Sequence, residues 1–206
     1  MLISVETPVG TAEVDIDRPS GPASALVVLG HGAGGGIDAP DIRAARTACL
    51  GVGCTVVRVL QPYRVAGKRS PSPASTLDTA WVAVVEAVRR RRGLRELPLI
   101  VGGRSSGARV ACRTAADVGA VGVVCLAFPL HPPGRPDRSR LPELESVAVP
   151  VLIVQGDRDP FGMPPAAPTR TVLVVAGADH ALRRDLAGTG RAVAAFVAEV
   201  LRARND

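Results

Sequence analysis

Leu99-Ile100-Val101-Gly102-Gly103-Arg104-Ser105-Ser106-Gly107-Ala108 is the stretch that decides the fold. An apolar run leads into Gly103-Arg104-Ser105-Ser106-Gly107, and a helix-like stretch over residues 108–116 follows. That is a G-x-S-x-G pattern in the strand–turn–helix context that gives it meaning. Its chemistry needs a serine hydroxyl held out at the carboxyl end of a central strand, on a turn too sharp for ordinary residues. Glycines two positions either side remove the Cβ atoms that would collide as the chain doubles back into the helix. Only Ser105 is centred in the frame, because a frame on Ser106 would require glycine where Arg104 stands. In a chain with 22 glycines a bare match arises easily by chance, so the weight falls on its surroundings.

Outward from this turn, apolar strands and helices alternate. Upstream, the pattern predicts short strands over residues 2–7 and 11–16, turned at Pro8-Val9-Gly10, and a continuous apolar strand over 25–30. A short Ala-rich helix over 40–50, with Pro40 near its first position, and a β-branched strand over 54–60 come next. Residues 75–92 form the clearest helix. Leu77, Trp81, Val84, Val85 and Val88 recur at helical spacing, and Ser75-x-x-Asp78 resembles a capping box. Downstream, buried strands are expected over 121–128, 151–155 and 171–176, and a last helix presents Val193, Phe196, Val197, Val200 and Leu201 on one face. The pattern implies a three-layer α/β/α sandwich around a mostly parallel sheet, with the first strand pair antiparallel at one edge. The length suits one such domain over residues 1–206, and no internal repeat divides it. Residues 61–74, rich in Pro, Ser and basic side chains, and residues 131–149, polar and Pro-rich, break the alternation. Both belong on or near the rim where open α/β sheets bind ligands.

Composition narrows the function classes. The chain is 47% hydrophobic and 21% charged, enough to bury a sizeable core, but only 2% aromatic. A formal charge of +6 raises nucleic-acid binding, yet that function wants clustered basic residues with aromatics for stacking, and the aromatics are missing. The one basic run, Arg89-Arg90-Arg91-Arg92, falls at a helix end, where cations complement the macrodipole. Cys49, Cys54, Cys112 and Cys125 contain no C-x-x-C pair and lie in or beside apolar segments. They are expected to be small buried hydrophobes in a reducing compartment, forming neither disulfides nor a zinc site. The start Met1-Leu2-Ile3-Ser4-Val5-Glu6 lacks the features of a signal peptide, and no segment approaches a membrane span. A cytoplasmic protein with a small-molecule partner, no membrane contact and no cofactor or metal is the expectation.

A serine nucleophile needs a base to take its proton and an acid to hold that base in the right tautomer. The chain has three histidines: His31, His131 and His180. Only His180, in the loop Ala176-Gly177-Ala178-Asp179-His180-Ala181, stands late enough for the order Ser…Asp…His. His131 leaves another strand end and is expected to line the substrate pocket. The acid belongs in Gly156-Asp157-Arg158-Asp159-Pro160-Phe161-Gly162, where a position a few residues past the strand favours Asp159 over Asp157. Asp179, adjacent to His180 in sequence, is poorly placed to orient its ring. An oxyanion hole needs two backbone N–H donors. Ser106 supplies one. The loop Gly30-His31-Gly32-Ala33-Gly34-Gly35-Gly36 supplies the other, Ala33 first and Gly32 second. That loop lacks the Lys-Ser/Thr ending and the G-x-G-x-x-G spacing of nucleotide sites. Tyr63, the only tyrosine, with Arg64, Lys68 and Arg69 in the same loop, is expected to wall the site and bias it toward anionic substrates.

These motifs together resemble the α/β-hydrolase superfamily. The likeness is to small uncapped bacterial members related to testis-expressed protein 30 and to the hydrolase-like domain of a chromatin-complex subunit. It is carried by Gly30-His31-Gly32-Ala33-Gly34, Pro62-Tyr63-Arg64, Gly102-Gly103-Arg104-Ser105-Ser106-Gly107-Ala108-Arg109, Phe128-Pro129-Leu130-His131-Pro132-Pro133, Gln155-Gly156-Asp157-Arg158-Asp159-Pro160-Phe161-Gly162 and Asp179-His180. The resemblance implies Ser105, Asp159 and His180 as a triad, with residues 128–133 bordering the site. Many relatives carry a cap after the strand matching residues 121–128, and here only a short Pro-rich link stands, so a shallow site is implied. The function expected is ester or related acyl hydrolysis. A non-catalytic interaction module of the same fold and an acyltransferase are the alternatives.

Overall fold

A computed structural model describes residues 2–204. An eight-stranded sheet runs β1-β2-β4-β3-β5-β6-β7-β8. Its strands are β1 (Ile3–Thr7), β2 (Gly10–Asp17), β3 (Ala25–Gly30), β4 (Cys54–Leu60), β5 (Leu99–Arg104), β6 (Gly122–Leu126), β7 (Val151–Gly156) and β8 (Arg170–Val175). The first hairpin is antiparallel, and β2 joins β4 antiparallel as well, with Val14 opposite Val59. From β4 to β8 every pairing is parallel. This is the mostly parallel sheet, antiparallel at one edge, that the alternation implied.

Strand alternation sorts the apolar side chains to two faces. On β3, Leu26 and Val28 join one core and Val27 and Leu29 the other. The first core is covered by α3 (Ala74–Arg89), α4 (Ser106–Thr114) and α5 (Leu141–Glu145) through Trp81, Val84, Val110 and Leu144. The second is covered by α1 (Pro40–Gly51) and α6 (Leu186–Arg202) through Ile42, Cys49, Val193 and Phe196. All four cysteines are buried and free.

Two boundaries move for local reasons, and one strand is more exposed than expected. Strand β5 continues to Arg104, so Ser105 alone makes the turn and α4 starts two residues earlier than expected. The chain leaves β6 early, at Ala127, whose φ is 51° and whose N–H donates to Val154 O. The last strand, read from sequence as buried, pairs with β7 alone and forms the sheet's outer edge, leaving Val174 52% exposed. Two helices of one turn or little more, α2 (Pro62–Val65) and α5, occupy the irregular stretches. The β6–β7 connection carries only α5, so no cap domain covers the sheet.

Candidate active site

The carboxyl ends of β3, β4, β5, β6, β7 and β8 release the segments that hold every singled-out residue. Ser105 occupies φ 52° and ψ −111°, a left-handed backbone costly for any residue but glycine, and its N–H donates to Leu126 O at 2.9 Å. The two motif glycines are explained by β3. A Cβ on Gly103 would stand 2.4 Å from Gly30 O, and one on Gly107 2.5 Å from the same carbonyl. Any side chain there would drive α4 off the sheet and carry Ser105 with it.

Ser105 Oγ lies 2.9 Å from His180 Nε2, and His180 Nδ1 lies 2.8 Å from Asp159 Oδ2. A carboxylate facing Nδ1 places the ring proton there and leaves Nε2 as acceptor for the serine hydroxyl. Asp159 has a fully buried carboxylate. Its Oδ2 also accepts from Gln155 Nε2 at 2.8 Å, and its Oδ1 accepts from Phe161 N–H at 2.9 Å. Phe161 packs against the His180 ring with centroids 4.1 Å apart. Asp157 is exposed and accepts from Gly177 N–H at 2.7 Å, fastening the neighbouring loop without reaching the histidine.

Ser106 N–H is the first amide of α4, one of the group that no intrahelical carbonyl reaches. The Ala33 N–H is oriented through its own peptide. Gly32 O, on the other side of that planar unit, accepts from His31 Nδ1 at 2.8 Å and from Gly35 N–H at 3.1 Å, so the amide hydrogen points the opposite way. His31 is 3% exposed, and its Nε2 accepts from Gln61 N–H at 3.1 Å. Accepting from Gln61 N–H while Nδ1–H donates to Gly32 O requires the neutral ring, and burial, aided by the Arg64 charge, holds its pKa below the usual value. His31 had no assigned role in the sequence; its part is visible only once β4 brings Gln61 beside it.

Tyr63 and His131, the two expected substrate contacts, both engage neighbouring loops. Tyr63 is 5% exposed, and its hydroxyl donates to Ala33 O at 2.9 Å, bracing the glycine-rich loop from behind instead of walling an open pocket. The His131 ring lies against Gly162, where a Cβ would meet Nε2 at 2.4 Å. Its backbone N–H donates to Phe161 O at 3.0 Å, so it buttresses the Asp159 loop. Arg64 Nη1 turns back to Lys68 O at 3.3 Å.

Arg104 went unnoticed as the variable residue of the motif. Its Nε pairs with buried Asp41 at 2.9 Å, and Nη2 donates to His180 O at 2.8 Å. The residue that leads into Ser105 therefore also grips the backbone of His180. Asp41, in the first turn of α1, has its pKa raised by burial against the opposing pull of Arg104.

No group of three or more His, Cys, Asp or Glu side chains is arranged to hold a metal ion among the described residues. No helix among them is long and apolar enough to cross a membrane. A family model described as an alpha/beta hydrolase domain matches residues 23–203. Comparison with curated proteins finds no match. Among solved structures the fold is similar to an alpha-beta serine hydrolase homologue from Coxiella burnetii, at 21% identity and TM-score 0.76 over 96% of this chain and 97% of that one. A serine hydrolase without lid from Xanthomonas campestris matches at 23% identity and TM-score 0.77, over 97% and 94%. Est1E from Butyrivibrio proteoclasticus, in a structure with ferulic acid bound, matches at 17% identity and TM-score 0.81, over 97% and 99%. At such identities the likeness is one of fold.

Proposed function

The chain belongs to the alpha/beta hydrolase family, and from that premise we propose that it is a serine hydrolase cleaving an ester or related acyl bond through an acyl-enzyme on Ser105. The observation that carries this reading is the unbroken chain of hydrogen bonds from Ser105 Oγ through His180 to Asp159. His180 Nε2 takes the serine proton as Oγ attacks the substrate carbonyl, and Asp159 stabilises the imidazolium that forms. The developing oxyanion is met by the N–H groups of Ser106 and Ala33. Collapse of the tetrahedral intermediate expels the alcohol, protonated by His180. A water activated by the same histidine then releases the acid and restores Ser105.

The test is hydrolysis of p-nitrophenyl esters of graded acyl length by the wild type, Ser105→Ala and His180→Ala. Turnover in the wild type and its loss in both variants is the expected result, with removal of either group costing about 10⁶-fold in kcat by analogy with other triads. Equal turnover in wild type and Ser105→Ala would overturn the assignment.

A further inference from the structure

Three segments meet at the site, and each continues past its functional residue into one groove. Arg104 precedes Ser105, Gly34 follows Ala33 and Ala181 follows His180, and all three line a groove of about 640 Å³. Ile37 and Leu60 give it apolar wall, and Arg183 is its second cation. A larger groove of about 710 Å³ between α1 and α6 includes none of these neighbours. An ester whose carbonyl sits at Ser105 has this wall within reach of one of its arms.

The charges on the wall decide what that arm carries. Arg104 commits Nε to Asp41 and Nη2 to His180 O, and no acceptor among the described residues binds Nη1. A Cβ on Gly32 would stand 2.9 Å from that Nη1 and 3.5 Å from Ser105 Cβ, so guanidinium and nucleophile flank the same glycine. The acid on the wall, Asp38, is paired with Arg58 Nη1 at 2.6 Å. Arg183 is exposed and has no carboxylate partner among the described residues. Arg104 is paired with Asp41, and Asp38 shares Arg58 with Asp15 and Asp17, so the charge on the wall without a carboxylate partner among the described residues is that of Arg183. The cations that border the groove are thus Arg104 and Arg183, and not Arg64 and Lys68 of the 61–74 loop.

We propose that this groove receives a carboxylate-bearing arm of the substrate, making the preferred substrates monoesters that carry a negative charge. The proposal rests on the serine-hydrolase reading and names the substrate class for that same site. Nη1 of Arg104 offers a charge-assisted hydrogen bond to the carboxylate, and Arg183 supplies the unneutralised charge that draws it in.

The experiment compares two ester pairs: p-nitrophenyl hemiglutarate with its methyl ester, charged on the acyl arm, and 4-acetoxybenzoate with its methyl ester, charged on the alcohol arm. At low salt, the anionic member of one pair is expected to be favoured about tenfold in kcat/KM. That preference should fall severalfold in about 0.5 M NaCl, where screening is short-ranged. Arg183→Ala should bring the ratio near one, and Arg64→Ala should leave it in place. Hydrolysis of both pairs without preference or salt dependence would overturn the groove assignment and leave the hydrolase reading standing. Absence of any hydrolysis, together with no reaction with a fluorophosphonate, would overturn the hydrolase reading instead. Calorimetry with monomethyl glutarate then decides the groove: binding that Arg183→Ala removes supports it, and no binding overturns it.

Discussion

At the residue scale, the acid separates by hydrogen-bond bookkeeping. Both Asp159 oxygens already accept: Oδ1 from the Phe161 backbone N–H, which cannot reverse, and Oδ2 from His180 and from the Gln155 amide, whose NH₂ is held in that orientation by its second bond to Gly162 O. An asparagine at 159 must turn its NH₂ toward one of those donors, losing the histidine tautomer or the loop. Asp159→Asn is therefore expected to lower kcat toward p-nitrophenyl acetate by on the order of 10⁴-fold, the scale known for this change in a triad. Asp157→Asn keeps an oxygen for Gly177 N–H and should change kcat by less than about threefold, as for a surface substitution. Reversed effects would move the acid to Asp157. Ser105, His180 and Asp159 were legible in the sequence because a motif, a short supply of histidines and a fixed chain order constrain them together. Arg104 was not, since its role exists only through Asp41 and a backbone carbonyl 76 residues further on. Tyr63 was read as rim because nothing in its neighbours reveals that its hydroxyl reaches back to Ala33.

At the scale of elements, the glycine-rich loop after β3 carries a pH dependence. His31 holds Gly32 O and Gln61 N–H only as the neutral ring, and burial lowers its folded-state pKa. Unfolded, the ring titrates near the ordinary value of about 6.5, so below that pH the unfolded chain binds a proton that the folded one refuses. The contribution is fully present above the unfolded pKa and is lost as pH falls toward the folded one. His31→Asn, which retains a donor for Gly32 O but does not titrate, should show a shallower loss of urea-unfolding stability between pH 7 and pH 5 than the wild type. Equal slopes would remove His31 from the account. Strands β3 and β4 match the sequence reading to the residue, since each continuous apolar or β-branched run is bounded by polar residues or glycine, Ser24 and His31 for one and Gly53 and Gln61 for the other. The short α2 and α5 were invisible, because about one turn of helix contains too few residues to show a period. The edge position of β8 was equally hidden: its apolar run Thr171-Val172-Leu173-Val174-Val175 looks like a buried strand until the strand order is known.

At the scale of the molecule, the parallel part of the sheet acts as a platform whose carboxyl edge gathers loops from the length of the chain. Its architecture was legible because alternation of apolar strands and amphipathic helices leaves few other solutions. The strand order was not, since pairing of β3 between β4 and β5 is a long-range choice that no local pattern encodes. With only α5 between β6 and β7, no cap stands over Ser105, and reagents should meet the hydroxyl directly. Ser105 is proposed as a nucleophile activated by His180. Its most direct test is reaction of the folded protein with a fluorophosphonate probe, the adduct located by tandem mass spectrometry. One adduct per chain is expected, on Ser105, absent from Ser105→Ala and strongly slowed in His180→Ala. No adduct on folded wild type, or one that persists in Ser105→Ala, would contradict it.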